Sequence, residues 1–134
     1  MLHALGALLL LGLVEETPQT TALRVMQKVL REKDWAGFYE KHAHPHLKDQ
    51  LDLERFRKFM DGDKGKAIVT LFDEVLKAVD DKADESVLIA RHNPENKDEY
   101  EYILVKVQKS DRKGRQWHLE LQLDGGQWKL MDTD

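Results

Sequence analysis

The chain has 134 residues, 41% of them hydrophobic and 34% charged, which suffices for one hydrophobic core but not two and excludes wholesale disorder. Its 25 acidic and 21 basic residues are mixed along the sequence, so the net charge of −4 offers no broad positive field for nucleic acid. The sequence contains no cysteine, which excludes disulfides, thiolate metal sites and cysteine nucleophiles.

An uninterrupted apolar run lies at the N-terminus. Residues 4–14 (ALGALLLLGLV) match the length of a signal-peptide core and fall short of the ~20 residues that a membrane span needs. We therefore predict a signal peptide over residues 1–20, no membrane span, and one exported domain, periplasmic or secreted, over residues 21–134. The alternatives are an extra helix over residues 2–14 and, if the leader is retained, a cytoplasmic protein.

Apolar residues recur at three- and four-residue steps through the first half of the chain, which is typical of amphipathic helices. Aspartates precede several of these segments and can accept hydrogen bonds from the free amides of a helix start. The predicted helices are Thr21–Glu32, a helix between Asp34 and Pro45, a helix between Asp52 and Gly62, and a helix from Asp63 whose inner face carries Ile68, Phe72, Val75, Leu76 and Val79.

From Ser86 onward the apolar period changes to two, which indicates half-buried strands. Short connections, including the turn at residues 124–126 (DGG), imply an antiparallel meander. The predicted fold class is α+β, with N-terminal helices packed on a curved four-stranded antiparallel sheet. The predicted strands span residues 86–92, 100–109, 116–123 and 127–132.

The third strand has one apolar face and one polar face, so we expect the apolar face to lie under the helices. An interior built from aliphatic strand positions has no ionisable group and therefore no catalytic constellation. The predicted inner set is Trp117, Leu119, Leu121 and Leu123, with Val87, Ile89, Ile103, Val105, Val107, Trp128 and Leu130.

The opposite face of the predicted sheet is partly apolar. Its members are Tyr100, Tyr102, Leu104, Lys106, His118, Glu120 and Met131. His118 and Glu120 are interpreted as ordinary polar groups of a strand surface. Tyr102, Leu104 and Met131 form a candidate surface for a homodimer, because clustered exposed apolar groups mark interaction sites.

Three segments resemble a known superfamily. They are residues 34–39 (DWAGFY), 117–121 (WHLEL) and 125–130 (GGQWKL). With the order of the elements, they resemble the nuclear transport factor 2-like superfamily, the cystatin-like α+β cones, over about residues 21–134. The resemblance implies helices that close over a curved sheet, in a superfamily of isomerases, dehydratases, epoxide hydrolases, transport adaptors and exported domains. Its enzymes hold acids, histidines or tyrosines inside the cone, where this sequence is predicted to be aliphatic.

The histidine run is the local cluster with metal-ligand chemistry. His42, His44 and His46 alternate, and neutral imidazoles bind zinc or copper. Histidines at the last turn of a helix also suit its negative end, and no distant ligand motif completes a site. We therefore predict no metal and no cofactor, with the histidine run as the open alternative.

The predicted function is that of a non-catalytic exported domain that binds a partner protein or a small apolar ligand. The alternative is a small-molecule acid/base enzyme of the isomerase, dehydratase or hydrolase type, with His42 as base, Tyr39 or Tyr102 as donors and Asp132 as the acid. That alternative requires an open pocket of about 300 Å³ or more lined by His42. The predicted ligand-binding residues are Trp35, Tyr39, His42, Phe56 and Phe72.

Overall fold

The computed structural model describes residues 16–105 and 117–133, where five helices on the N-terminal side pack against an open four-stranded antiparallel sheet. The predicted α+β class is confirmed, and the strands follow one another in the order β1-β2-β3-β4. The apolar leader and positions Lys106 and Val107 lie outside the described residues. The elements are α1 (Pro18–Arg31), α2 (Trp35–His42), α3 (Pro45–Gln50), α4 (Leu53–Asp61), α5 (Asp63–Asp80), β1 (Leu88–Asn93), β2 (Asn96–Leu104), β3 (Trp117–Asp124) and β4 (Gln127–Thr133).

Local capping explains where the helices begin. Helix α1 starts three residues before the predicted Thr21, because Thr17 Oγ1 accepts from the Thr20 amide at 3.1 Å and Pro18 suits the first helical position. The predicted caps of α2 and α4 are confirmed. Asp34 accepts from the Gly37 amide at 3.0 Å, and Asp52 accepts from the Arg55 amide at 2.9 Å.

Helix α3 is absent from the prediction. Helix α2 ends before Pro45 as expected, but the same proline opens α3, since its fixed φ is suited to a first helical position. His44 Nδ1 caps α3 by accepting from the His46 amide at 3.0 Å.

Tight turns set the register of the sheet. Asn93 pairs with Asn96, and Asn93 Oδ1 accepts from the Glu95 amide at 2.8 Å, so β2 begins at Asn96 rather than at residue 100. The predicted turn between β3 and β4 is confirmed. Gly125 and Gly126 have φ of 59° and 82°, the positive values that a two-residue hairpin turn of type I′ requires.

The face of β1 and β2 that meets the helices is the opposite of the predicted one. Tyr102 pairs with Leu119 and Tyr100 pairs with Leu121, and directly opposed residues share a face. Tyr102, Leu119 and Leu121 are all 0% exposed. The same correction applies to β1, because Leu88 pairs with Leu104 and its side chain lies in the core.

Carboxylate burial explains why the predicted side of β2 is wrong. Glu99 and Glu101 alternate with Tyr100 and Tyr102, so a face with Ile103 inside would also bury two carboxylates. Two phenols cost less to bury when a partner is present. The Tyr102 hydroxyl lies 2.7 Å from Thr20 Oγ1, and burial raises the pKa of Tyr102, which keeps it neutral.

Two further predictions are wrong because they depended on which face of β2 meets the helices. The interior is not free of ionisable groups, since it contains the phenols of Tyr100 and Tyr102. The apolar patch proposed for a homodimer is also wrong in its main members, because Tyr102 is fully buried and Leu104 packs against the core.

The predicted inner side of β3 and β4 is confirmed. Leu119, Leu121 and Leu130 are buried, and His118 and Glu120 face away from the helices. Helix α5 lies across β1, β2 and β3, while α1, α2 and α3 contact β4. The His44 amide donates to the Leu130 carbonyl at 2.8 Å, so the segment between α2 and α3 covers the outer edge of β4.

The Thr20–Tyr102 pair gives a test of the sheet's inner face. Thr20→Val removes the hydroxyl that lies 2.7 Å from the buried Tyr102 phenol and should lower the free energy of unfolding by about 1–3 kcal/mol. Thr20→Val combined with Tyr102→Phe removes both polar groups and should recover most of that loss. Urea denaturation of each variant measures the effect.

A matched control is Thr21→Val, which removes the neighbouring exposed hydroxyl that donates to Glu16 Oε2 at 2.8 Å. This change should cost less than about 0.5 kcal/mol. The proposed role of the pair is contradicted if the double variant loses as much free energy of unfolding as Thr20→Val and Tyr102→Phe lose separately, added together.

Candidate functional site

A groove of about 590 Å³ opens beside the β3–β4 turn. One wall is the first half of α1, with Ala22 and Val25, and another is the end of α2, with His42. The start of β4 closes the groove with Trp128 and Lys129. Three elements that are distant in sequence therefore build one concave surface.

The apolar part of this groove is continuous with the core. Val25 is 48% exposed, the one exposed large hydrophobic side chain among the described residues. The Trp128 ring lies 6.3 Å from Tyr100 and 6.0 Å from His92, between ring centroids, and so joins an aromatic cluster that includes Tyr102. Val25 and Trp128 thus offer apolar surface that the described part of the chain leaves uncovered.

His42 supplies the hydrogen-bonding group of the groove. Its ring lies 5.6 Å from the Phe38 ring, and it makes no hydrogen bond to another described residue. Burial lowers the pKa of His42, and the charges of Lys41 and Lys129 lower it further. The imidazole is therefore neutral at pH 7 and offers one donor and one acceptor.

The charges around the groove are balanced. Lys129 Nζ donates to Asp124 Oδ2 at 2.9 Å, and this bond lowers the pKa of Asp124. Lys41 has Glu40 beside it on the same rim. Because each lysine has a carboxylate beside it, the groove has no strong field of one sign and suits a neutral or weakly charged molecule.

The five predicted ligand-binding residues have different surroundings. His42 lines the groove. Phe72 is 0% exposed and Phe56 is 4% exposed, so both belong to the core. The polar atoms of the other two are used in packing: Trp35 Nε1 donates to Asp61 Oδ1 at 2.9 Å, and the Tyr39 hydroxyl donates to the Leu51 carbonyl at 2.8 Å. Among the five, His42 is the one with free hydrogen-bonding capacity at a cavity.

The groups proposed to assist His42 in catalysis are engaged elsewhere. The Tyr39 hydroxyl is bonded to the Leu51 carbonyl, and the Tyr102 hydroxyl is fully buried against Thr20. Asp132 pairs across the sheet with Glu120, on the face away from the helices. The required pocket is present, but these donors and this acid do not surround it.

The histidine run does not converge on one point. His42 lies against Phe38, the His44 ring caps α3, and His46 Nε2 lies 3.3 Å from Gln50 Nε2. Burial lowers the pKa of His44, against a raising effect of Asp124. In residues 16–105 and 117–133, the side chains that could hold a metal ion together are instead Glu101, His118 and Glu120.

This second cluster was missed for a structural reason. His118 and Glu120 show the two-residue alternation of strand neighbours on one face, which is visible in the sequence. Glu101 joins them only because β2 pairs with β3 in the observed register, with Glu101 opposite Glu120. The predicted side of β2 excluded that arrangement.

A smaller cavity of about 240 Å³ lies between α4, α5 and the sheet, lined by apolar side chains such as Phe59, Ile68 and Trp117 with Lys64. Its volume is below the range typical of small-molecule sites. Separately, none of the helices in the described ranges is long and apolar enough to cross a membrane.

The lowered pKa of His42 gives a prediction for pH. Because the folded pKa lies below the unfolded value of 6.5, the unfolded chain binds more protons as the pH falls through that value, and stability is lost there. The variant His42→Gln should therefore lose less stability between pH 7.5 and pH 5, as measured by urea denaturation. An NMR titration that places the His42 pKa above 6.5 contradicts this expectation.

Comparison with protein-family models, curated proteins and solved structures found no match to this chain. The resemblance to the nuclear transport factor 2-like superfamily therefore stays a prediction, and function has to be argued from the geometry.

Proposed function

We propose that this protein binds a small, largely apolar or aromatic molecule in the groove between α1, α2 and β4. The observation that carries the proposal is His42, a partly buried imidazole without a hydrogen-bond partner among the described residues, beside the exposed side chain of Val25. A ligand there covers apolar surface and satisfies the imidazole in one step.

The dimensions of the groove support this proposal. Small-molecule sites enclose about 300–1,000 Å³, and the groove has about 590 Å³. Such sites combine apolar walls with a few placed polar groups, and here Val25 and Trp128 form the walls while His42 is the polar group. The balanced rim charges favour a molecule without a high net charge.

The broader role that we propose is that of a non-catalytic exported domain of the nuclear transport factor 2-like superfamily. The α+β architecture, with helices over one face of an antiparallel sheet, supports this assignment. Fold alone does not give function, so the ligand-binding role depends on the groove. Export depends on the apolar run at residues 4–14.

Acid/base catalysis by His42 is the second candidate function. Its favourable observation is that His42 lines a cavity larger than the 300 Å³ that this function requires. Against it, the lowered pKa makes the imidazole a weaker base, and the acid and donors that would assist it lie elsewhere. Simple binding needs none of these groups.

A fluorescent probe tests the binding proposal directly. We expect N-phenyl-1-naphthylamine, a neutral aromatic molecule, to bind the full chain at about one molecule per protein and to shift the NMR signals of Val25, His42 and the Trp128 indole. Val25→Lys should weaken this binding at least tenfold, because it places a charged side chain across the apolar wall.

Thr70→Lys is the matched control, since it adds the same charge to an exposed position of α5 outside the groove. It should leave binding unchanged. Equal binding by Val25→Lys and the wild type contradicts the site. Turnover of small carbonyl or epoxide substrates can be screened in the same proteins. If the wild type turns one over and His42→Gln abolishes this turnover without loss of stability, the function is catalysis rather than binding alone.

A further inference from the structure

We propose that Glu101, His118 and Glu120 bind one first-row divalent cation such as Zn²⁺ on the face of the sheet that points away from the helices. The three side chains each offer one ligand atom, and these atoms lie within 4.8 Å of one another. This site is separate from the groove and does not depend on the function proposed for it.

The sheet itself places the three ligands. His118 and Glu120 are two residues apart on β3 and therefore project from the same face. Glu101 lies directly opposite Glu120 on β2, in an unbroken stretch of paired residues. Ligands fixed on two paired strands vary less in position than ligands on loops, which favours metal binding.

The three side chains are well shielded for an outer sheet face. The Glu101 side chain is 14% exposed, that of His118 is 21% exposed and that of Glu120 is 24% exposed. Two carboxylates opposed on neighbouring strands repel each other, and shielding from water increases that repulsion. A divalent cation between them removes the repulsion and uses both charges.

Small side-chain movements complete the coordination. Donor atoms around a zinc ion with ligand distances of about 2.0–2.1 Å are separated by roughly 3–3.5 Å. His118 Nε2 already lies 3.1 Å from Glu120 Oε2, so the ion replaces the hydrogen bond between these two atoms. Glu101 then has to approach by about 1.5 Å or less, within the reach of a rotation of its side chain.

The chemistry of the ligands favours zinc over calcium or magnesium. One imidazole with two carboxylates matches zinc and similar transition metals, whereas Mg²⁺ and Ca²⁺ prefer oxygen ligands alone. Three protein ligands leave a coordination position for water or for a group from another molecule.

Arg91 is the internal competitor of the metal. Its Nε donates to Glu101 Oε2 at 2.8 Å, so it neutralises one of the two carboxylates when no ion is present. Its side chain is 52% exposed and can move away from the site. Removing the charge of Arg91 should therefore strengthen metal binding. If Arg91 and Glu101 form only a surface ion pair and no metal site exists, neither the wild type nor the variant without Arg91 should bind zinc.

The test is calorimetric titration of the full, metal-free chain at pH 7.5 with zinc chloride alone, and separately with magnesium and calcium chloride. We expect one zinc per chain, a rise in melting temperature of about 5–10 °C in excess zinc, and no comparable effect of the other two ions. His118→Gln and Glu120→Gln should each weaken zinc binding at least tenfold. Arg91→Gln should strengthen it roughly twofold to fivefold.

His46→Gln is the matched control, since it removes one exposed histidine outside the cluster. It should bind zinc as the wild type does. Melting curves without zinc separate loss of ligand from loss of folding in every variant. The proposal is overturned if zinc does not bind, if His118→Gln binds it with wild-type affinity, or if His46→Gln loses as much affinity as His118→Gln.

Discussion

The hydrogen bond between Thr20 and Tyr102 joins the first helix to the second strand inside the core. A phenol that is fully buried needs a partner, and the partner comes from a residue 82 positions earlier in the chain. Once Tyr102 faces the helices, strand pairing decides the side of every neighbour. Leu88 and Leu104 turn inward, while Glu101 turns outward beside His118 and Glu120.

The two faces of the sheet therefore offer different chemistry. The helix-covered face ends in the aromatic cluster around Trp128, whose edge reaches the groove beside His42. The opposite face gathers Glu101, His118 and Glu120. The proposed apolar recognition on one side and the proposed metal coordination on the other both depend on which residues of β2 are buried.

Sequence patterns gave the fold class, the caps at Asp34 and Asp52 and the side of β3, because each of these depends on short-range periodicity or on one side chain. They did not identify the buried face of β2, because residues 100–105 (YEYILV) place large apolar or aromatic side chains on both faces of the strand. The deciding terms there are the cost of burying Glu99 and Glu101 and the long-range partner Thr20, and the second of these is invisible before folding.

The candidate sites were predicted to different degrees for the same reason. His42 was recognised because it shares a helix face with apolar neighbours and lies at the end of that helix. The walls formed by Val25 and Trp128 come from distant elements, and no local pattern connects them. The His118 and Glu120 alternation was visible, but its third member required the correct pairing of β2 with β3.

The position of Thr20 as the third residue of α1 also limits where the N-terminus of a mature chain can lie. A cut between residues 20 and 21, the predicted end of the leader, falls inside α1 and removes both the cap at Thr17 and the partner of Tyr102. If the predicted leader is removed, a cut compatible with this core has to lie ahead of Thr17. A recombinant protein trimmed further would keep all four strands yet lose the first turn of α1 and, with it, the hydroxyl that pairs with Tyr102.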